Sequence, residues 1–154
     1  MNAFDIFNLP ISVDIDLPQL RNKYIKKQQE AHPDRGGEII DSEKINESYT
    51  ILKNRESRVK LILEIFEIDT NDSSTLPQGF LFEMMEISEY LESENLEIGQ
   101  VKIDELLNSS NEEFAIIAQK FQPTKENIKD LAVWYQKNKY YYRLDKNLRG
   151  IKEI

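Results

Sequence analysis

Pro33 stands between two stretches of helical periodicity and restricts the fold more than any other residue. Before it, Leu20 and Tyr24 repeat at helical spacing. A proline pushes the residue that precedes it out of the helical region, so the first helix is expected to end near Ala31. A second helical pattern begins near residue 41. The spacing therefore predicts two helices joined by a short turn, which is an antiparallel helical hairpin.

The ends of these two helices can be placed from their capping residues. Asp16 is expected to cap the first helix, and Asp41 or Ser42 the second, because short polar side chains accept hydrogen bonds from free backbone N–H groups. The apolar spacing of the second helix continues past Arg55 as far as Phe66. We therefore expect the second helix to run without a break to Phe66.

Residues 69–78 are polar, rich in turn-forming residues and without periodicity. This stretch predicts a boundary between a domain at 1–70 and a domain at 78–154. Three helical patterns follow it, at 80–93, at about 99–121 and at about 125–151. No sustained period-two alternation accompanies them. The predicted fold class is therefore all-α, with a helical hairpin domain followed by a three-helix bundle.

Bulk charge and composition exclude several functions. The formal net charge is -8, whereas nucleic-acid binding needs clustered Lys and Arg to neutralise phosphates. The chain contains no cysteine, so disulfides, thiol catalysis and thiolate metal sites are excluded. No basic segment of the signal-peptide type precedes Pro10, and no apolar run is long enough to span a bilayer. We expect a soluble, cytoplasmic protein that binds neither nucleic acid nor membrane.

The hairpin turn holds the chain's only histidine, in the tripeptide His32-Pro33-Asp34. A lone histidine most often simply lies in a loop. A catalytic histidine needs a positioned nucleophile and an orienting acid, and a metal site needs further His, Cys or convergent carboxylates. Neither pattern is found, so a small helical enzyme that uses His32 is the weakest hypothesis. We expect no enzymatic activity, no cofactor and no metal.

A recognition corner fits the same tripeptide better. Pro33 fixes the backbone, and Asp34 offers a carboxylate to an arginine of a partner. Basic residues surround the corner and would steer an acidic partner surface towards it. These basic residues are Arg21, Lys23, Lys26, Lys27 and Arg35.

The helix at 80–93 carries two opposed apolar faces. One face holds Leu81, Phe82 and Met85, beside Glu86 and Glu89. If the opposite face packs inward, this one forms an exposed apolar patch rimmed by carboxylates, which is usually an interface. In the alternative, Leu81 and Phe82 cover the junction between the domains. The opposite face consists of Met84, Ile87 and Leu91.

Opposite charges mark two of the bundle helices. Residues 80–97 include six Glu and no basic residue, whereas residues 125–152 carry eight basic and three acidic residues. We expect the two helices to lie side by side, although exposed ion pairs individually add little stability.

Residues 4–63 resemble a J domain. His32-Pro33-Asp34-Arg35 matches the signature of that family, and Tyr24 and Lys26 match positions of its second helix. The stretch 45–52 is similar to the family's third-helix pattern Ile-Asn-x-Ala-Tyr-x-x-Leu. The resemblance implies that these six residues engage a DnaK- or HscA-type chaperone and stimulate its hydrolysis of ATP.

The rest of the chain resembles the HscB family of J-domain co-chaperones. Residues 58–63 are similar to its Arg-Ala-x-Tyr-Leu-Leu stretch, residues 80–89 to its Phe-Leu-Met-Glu-x-x-Glu-x-x-Glu stretch, and residues 139–144 to its Arg-Tyr/Phe-Leu-x-Arg-Leu stretch. The resemblance implies a role in iron–sulfur cluster assembly and an IscU-like scaffold as client. A general J-domain co-chaperone for another client is the alternative. The implied scaffold-binding residues are Leu81, Phe82, Met85, Glu86, Glu89 and Tyr140.

Two residues of the first hairpin helix depart from the HscB pattern. Lys27 stands where the family usually has leucine, and Ala31 where an aromatic residue normally precedes the histidine. Both changes are expected to thin the packing of the hairpin.

Overall fold

The computed structural model describes residues 1–31 and 39–152, and all its regular elements in these ranges are α-helices. The chain divides into two compact units, Met1–Glu67 and Ile68–Ile154. The predicted all-α fold class is confirmed. Within the same ranges, no helix is both long enough and apolar enough to cross a membrane.

The first unit contains four helices within its described residues. They are α1 (Ala3–Ile6), α2 (Leu17–Ala31), α3 (Ile39–Lys53) and α4 (Arg55–Ile65). Helices α2 and α3 pack against each other as the predicted hairpin, and α1 and α4 both pack on α3. Asp16 caps α2 as expected, because its Oδ1 accepts the backbone N–H of Gln19 at 3.0 Å. Buried apolar side chains of this unit include Phe4, Phe7, Val13, Leu20, Ile45, Leu52, Val59, Ile62 and Leu63.

Helix α1 was not predicted. Asn2 and Asp5 form a capping box, in which the Asp5 N–H donates to Asn2 Oδ1 at 3.1 Å and the Asn2 N–H donates to Asp5 Oδ2 at 3.0 Å. This pair satisfies free N–H groups at the helix start. The short helix buries Phe4, and Phe7 is buried directly after it.

The predicted unbroken helix up to Phe66 is wrong, because Asn54 separates α3 from α4. Asn54 has extended backbone angles (φ -100°, ψ 127°), and its Oδ1 accepts the N–H of Ser57 at 3.0 Å. Asparagine is favoured at this N-cap position because its short side chain accepts a hydrogen bond from a free backbone N–H of the first helical turn. The predicted caps of α3 are also wrong, since the helix begins at Ile39 and Asp41 and Ser42 lie in its first turn.

Arg58 joins three parts of the first unit. Its Nε donates to the carbonyl of Val13 at 2.9 Å, and its Nη1 donates to the carbonyl of Leu52 at 2.7 Å. The side chain is buried, and this burial lowers the pKa of the guanidinium, while the carboxylate of Asp14 acts in the opposite direction. The two carbonyls satisfy a cation that would otherwise be costly to bury.

The second unit is the predicted three-helix bundle. Its helices are α5 (Phe80–Glu92), α6 (Leu96–Lys120) and α7 (Lys125–Lys152), and each packs against the other two. The acidic α5 and the basic α7 therefore do lie side by side, with an apolar core between them. That core consists of Phe80, Met84, Ile87, Leu91, Ile103, Tyr141, Leu144 and Leu148.

A buried polar network fixes α6 against α7. The hydroxyl of Ser110 donates to Asn138 Oδ1 at 2.8 Å, and the indole N–H of Trp134 donates to the carbonyl of Ser110 at 2.9 Å. All three residues are buried. Because unpaired polar groups are costly in a core, this network favours one register of the two helices.

The polar stretch before α5 is anchored on α7. The carbonyl of Thr70 accepts from Gln136 Nε2 and from Lys139 Nζ, both at 2.7 Å. Thr70 and Gln136 are buried. Thus the start of the stretch that the sequence marks as turn-rich is bound to the bundle.

Candidate functional site

The tripeptide corner, His32, Pro33 and Asp34, lies outside the described residues, and so does Arg35. The described part of the predicted chaperone site is therefore on α2. Lys26 is exposed there, as a recognition residue must be.

Tyr24 is held by α3. Its ring stacks on Tyr49 with 4.1 Å between centroids and 13° between planes, and its hydroxyl donates to Asn46 Oδ1 at 2.6 Å. The side chain is half-buried. Tyr24 therefore connects the two helices of the hairpin, in addition to whatever contact it offers a partner.

The basic surface of α2 is smaller than predicted. Arg21 and Lys26 are exposed and Lys27 is half-buried. Lys23 instead donates from Nζ to the carbonyl of Phe7 at 3.1 Å. Its ammonium therefore helps to fix the segment after α1.

Gln28 forms contacts that were not predicted. Its Nε2 donates to the carbonyl of Ser42 at 3.1 Å and to Asn46 Oδ1 at 2.8 Å, while its Oε1 accepts the hydroxyl of Ser42 at 2.7 Å. No role was predicted for Gln28, and Ser42 was predicted only as a possible helix cap. Their helical spacing, Tyr24 with Gln28 and Ser42 with Asn46, was the available signal.

Helix α5 presents the apolar patch that the helical wheel predicts. Leu81 is 48% exposed, Phe82 77% and Met85 59%, whereas the opposite face is buried in the bundle core. Gly79, at φ 85°, precedes the helix in a left-handed conformation that favours glycine. The helix therefore starts at Phe80, and this register turns Leu81 and Phe82 outwards.

Carboxylates surround the patch. Glu86 and Glu89 are exposed on the same helix, and so is Glu83. A groove beside it, between α5 and α6, is lined by residues that include Glu83, Glu86, Lys102 and Glu105. An apolar centre with an acidic rim suits a partner segment that is apolar and basic.

Tyr140 lies on α7 against the start of α5. Its ring meets Phe80 edge to face, and the guanidinium of Arg143 lies 5.2 Å from the ring centroid. The side chain is half-buried and packs on the bundle core. Tyr140 is therefore partly structural and partly open to a partner.

The neighbouring Tyr141 belongs to the core. Burial raises the pKa of its phenol to about 12, and the negative charges of Glu113 and Glu83 act in the same direction. The sequence lists three consecutive tyrosines, and only the fold separates the buried one from Tyr140 and from the exposed Tyr142.

Comparison with known proteins identifies the family. No family model matches the chain. A co-chaperone protein HscB homolog of Acinetobacter baumannii is 31% identical over 125 residues, which cover 75% of this chain and 73% of the relative. Another, from Acinetobacter baylyi, is 37% identical over 97 residues, which cover 60% of this chain and 57% of the relative.

The fold is likewise that of a solved HscB structure. The chaperone HscB from Vibrio cholerae matches with a TM-score of 0.70 and 23% identity, covering 99% of this chain and 98% of the other. The structural match supports the fold, and the sequence match over most of both chains establishes the family. The chain therefore belongs to the HscB family of co-chaperones and is a non-catalytic J-domain protein of iron–sulfur cluster assembly.

Proposed function

We propose that this chain binds an IscU-like iron–sulfur scaffold through α5 and brings it to a DnaK- or HscA-type chaperone. In this proposal residues 78–154 bind the scaffold. Residues 1–70 engage the chaperone through His32, Pro33 and Asp34, and stimulate its ATPase.

The exposed face of α5 is the observation that carries the scaffold half of the proposal. Leu81, Phe82 and Met85 are adjacent on one helix and solvent-accessible, although one side of that helix already fills the bundle core. Burying such side chains against a partner gains roughly 25 cal/mol per Å² of apolar area. The carboxylates of Glu86 and Glu89 at the rim then favour a basic partner surface. Tyr140 is proposed to extend the binding surface onto α7.

The chaperone half rests on the hairpin and its signature. The exposed Lys26 on α2 supports recognition of an acidic partner surface. Tyr24 and Arg35 complete the proposed set by resemblance to the J-domain signature. His32 is proposed to contact the partner and not to catalyse a reaction, because the sequence contains no cysteine and no nucleophile-elbow pattern.

Two sets of substitutions test the two halves separately. The triple change Leu81→Ala, Phe82→Ala and Met85→Ala is expected to abolish scaffold binding in titration calorimetry and to leave stimulation of the free chaperone's ATPase intact. His32→Gln is expected to do the reverse. Undiminished scaffold binding by the triple variant would contradict the assignment of the patch.

The same measurements distinguish the alternative client. A chain that stimulates the chaperone normally but never binds an IscU-like scaffold would be a general J-domain co-chaperone. Normal stimulation by the His32→Gln variant would instead contradict the proposed chaperone contact.

A further inference from the structure

The contact between α2 and α3 becomes more polar from Leu20 towards the end of α2 at Ala31. Leu20 and Ala31 are the residues of α2 that are buried, and α2 is described in full. Between them, the half-buried positions are occupied by Lys23, Tyr24, Lys27 and Gln28. Apart from the stacked rings of Tyr24 and Tyr49, apolar packing therefore contributes little to this part of the hairpin.

Hydrogen bonds between side chains join α2 and α3 where apolar packing is sparse. We call the four residues Tyr24, Gln28, Ser42 and Asn46 the Gln28 clasp. Gln28 uses both ends of its amide on α3, and Asn46 Oδ1 accepts from Gln28 Nε2 at 2.8 Å and from the Tyr24 hydroxyl at 2.6 Å. Side-chain bonds of this kind are directional, whereas apolar contact is not. The clasp therefore fixes the register of two helices.

The clasp lies at the ends of α2 and α3 from which residues 32–38 run. Gln28 is about one turn before the last residue of α2, Ala31, and Ser42 is in the first turn of α3, which begins at Ile39. Any slip of one helix along the other would shift both ends of that segment. The exposed bond between Gln28 and Asn46 adds only modest stability, since water competes for its partners.

We propose that Gln28, Ser42 and Asn46 are positioning residues for chaperone activation. They hold the two helix ends at the spacing at which the His32-Pro33-Asp34 segment reaches its partner. The inference rests on the proposed function, because it takes that segment to be the one that engages the chaperone. It adds three residues that themselves need not touch the chaperone.

Substitutions of matched size test the clasp. Gln28→Met keeps the length of the side chain and removes all its hydrogen bonds, and the exposed Gln29→Met is the control on the same helix. Asn46→Leu removes the shared acceptor, whereas Asn46→Asp keeps an oxygen that accepts both bonds. Ser42→Ala removes one hydroxyl while raising helix propensity, so it protects the fold.

Stimulation of the partner chaperone's ATPase is measured at a temperature well below the midpoint of thermal unfolding of each variant. We expect Gln28→Met and Asn46→Leu to lower stimulation by about fivefold, and Ser42→Ala by about twofold. Asn46→Asp and Gln29→Met are expected to match the unaltered chain. Hydrogen exchange at the amides of residues 29–31 is expected to quicken in the first two variants, while scaffold binding is unchanged.

Rescue by Asn46→Asp separates positioning from a general loss of structure. Full stimulation by both Gln28→Met and Ser42→Ala, or an Asn46→Asp variant as weak as Asn46→Leu, would overturn the inference. The His32→Gln variant is measured in parallel. If it abolishes stimulation while the clasp variants stimulate fully, the clasp inference fails and the proposed function stands; if it stimulates normally, the proposed function fails and the inference fails with it.

Discussion

Phe80 and Tyr140 meet edge to face, with 5.6 Å between ring centroids and 81° between ring planes. Phe80 is the first residue of α5 and is buried, while Tyr140 is half-buried on α7. The contact holds the first turn of α5, which carries Leu81 and Phe82, against α7. A patch on a fixed helix loses less conformational entropy on binding than a mobile segment would.

Phe82 and Met84 form a matched pair on one helix. Phe82→Ala is expected to change the free energy of unfolding by less than about 0.5 kcal/mol, because the ring is 77% exposed. Met84→Ala is expected to cost about 2–5 kcal/mol, because it opens a cavity in the bundle core. Urea unfolding measures both changes. Equal losses in the two variants would contradict the packing of α5.

Tyr140 is expected to contribute both to scaffold binding and to the stability of the bundle. Tyr140→Ala removes the edge-to-face contact, worth about 1 kcal/mol, and is expected to weaken scaffold binding by about tenfold. Tyr140→Phe keeps the ring and is expected to bind within about twofold of the unaltered chain. Titration calorimetry compares the two. If Tyr140→Ala binds as tightly as the unaltered chain, Tyr140 lies outside the interface.

Arg58 is expected to control the stability of the first unit. Arg58→Met leaves the carbonyls of Val13 and Leu52 without their buried donors, at a cost of about 2–4 kcal/mol. Arg58→Lys is expected to recover only part of this loss, because one ammonium does not reproduce the guanidinium fork. Thermal unfolding followed by circular dichroism measures the change. A variant Arg58→Met as stable as the unaltered chain would show that these bonds add nothing.

Tyr141 is expected to make the stability of the bundle fall at alkaline pH. Its pKa is about 12 in the folded chain against an ordinary value of 10.0, so the folded state binds the phenolic proton more tightly than the unfolded state. The resulting stability is fully present below about pH 10 and is lost as pH rises through about 12. We expect the unaltered chain to lose about 1–2 kcal/mol more than Tyr141→Phe over this window. Parallel urea titrations at both ends of the window measure the difference, and equal losses would contradict the assigned burial.

The features predicted from sequence are those with a strong local signal. Pro33 predicted the division of the chain into α2 and α3, and the period of α5 separated its buried face from Leu81, Phe82 and Met85. Both signals depend on the spacing of residues within one segment, so they can be recognised without knowledge of the tertiary contacts.

The features that were missed depend on single residues or on contacts between segments. Helix α1 is too short to show a helical period. The apolar spacing continues across Asn54, although this residue separates α3 from α4. The hydrogen bond between Gln28 and Asn46 was not predicted, because the two residues are far apart in the sequence and meet only where α2 packs on α3. A polar residue on a helix carries no sign of its partner on another helix.

The central claim is that one chain couples a scaffold to a chaperone. Steady-state ATPase of the partner chaperone, measured with a limiting IscU-like scaffold and with or without this chain, tests it most directly. We expect the scaffold and the chain together to stimulate the ATPase more than the sum of their separate effects. Both His32→Gln and the triple change at Leu81, Phe82 and Met85 are expected to abolish that excess. A purely additive response of the unaltered chain, or an excess that survives in both variants, would contradict the account.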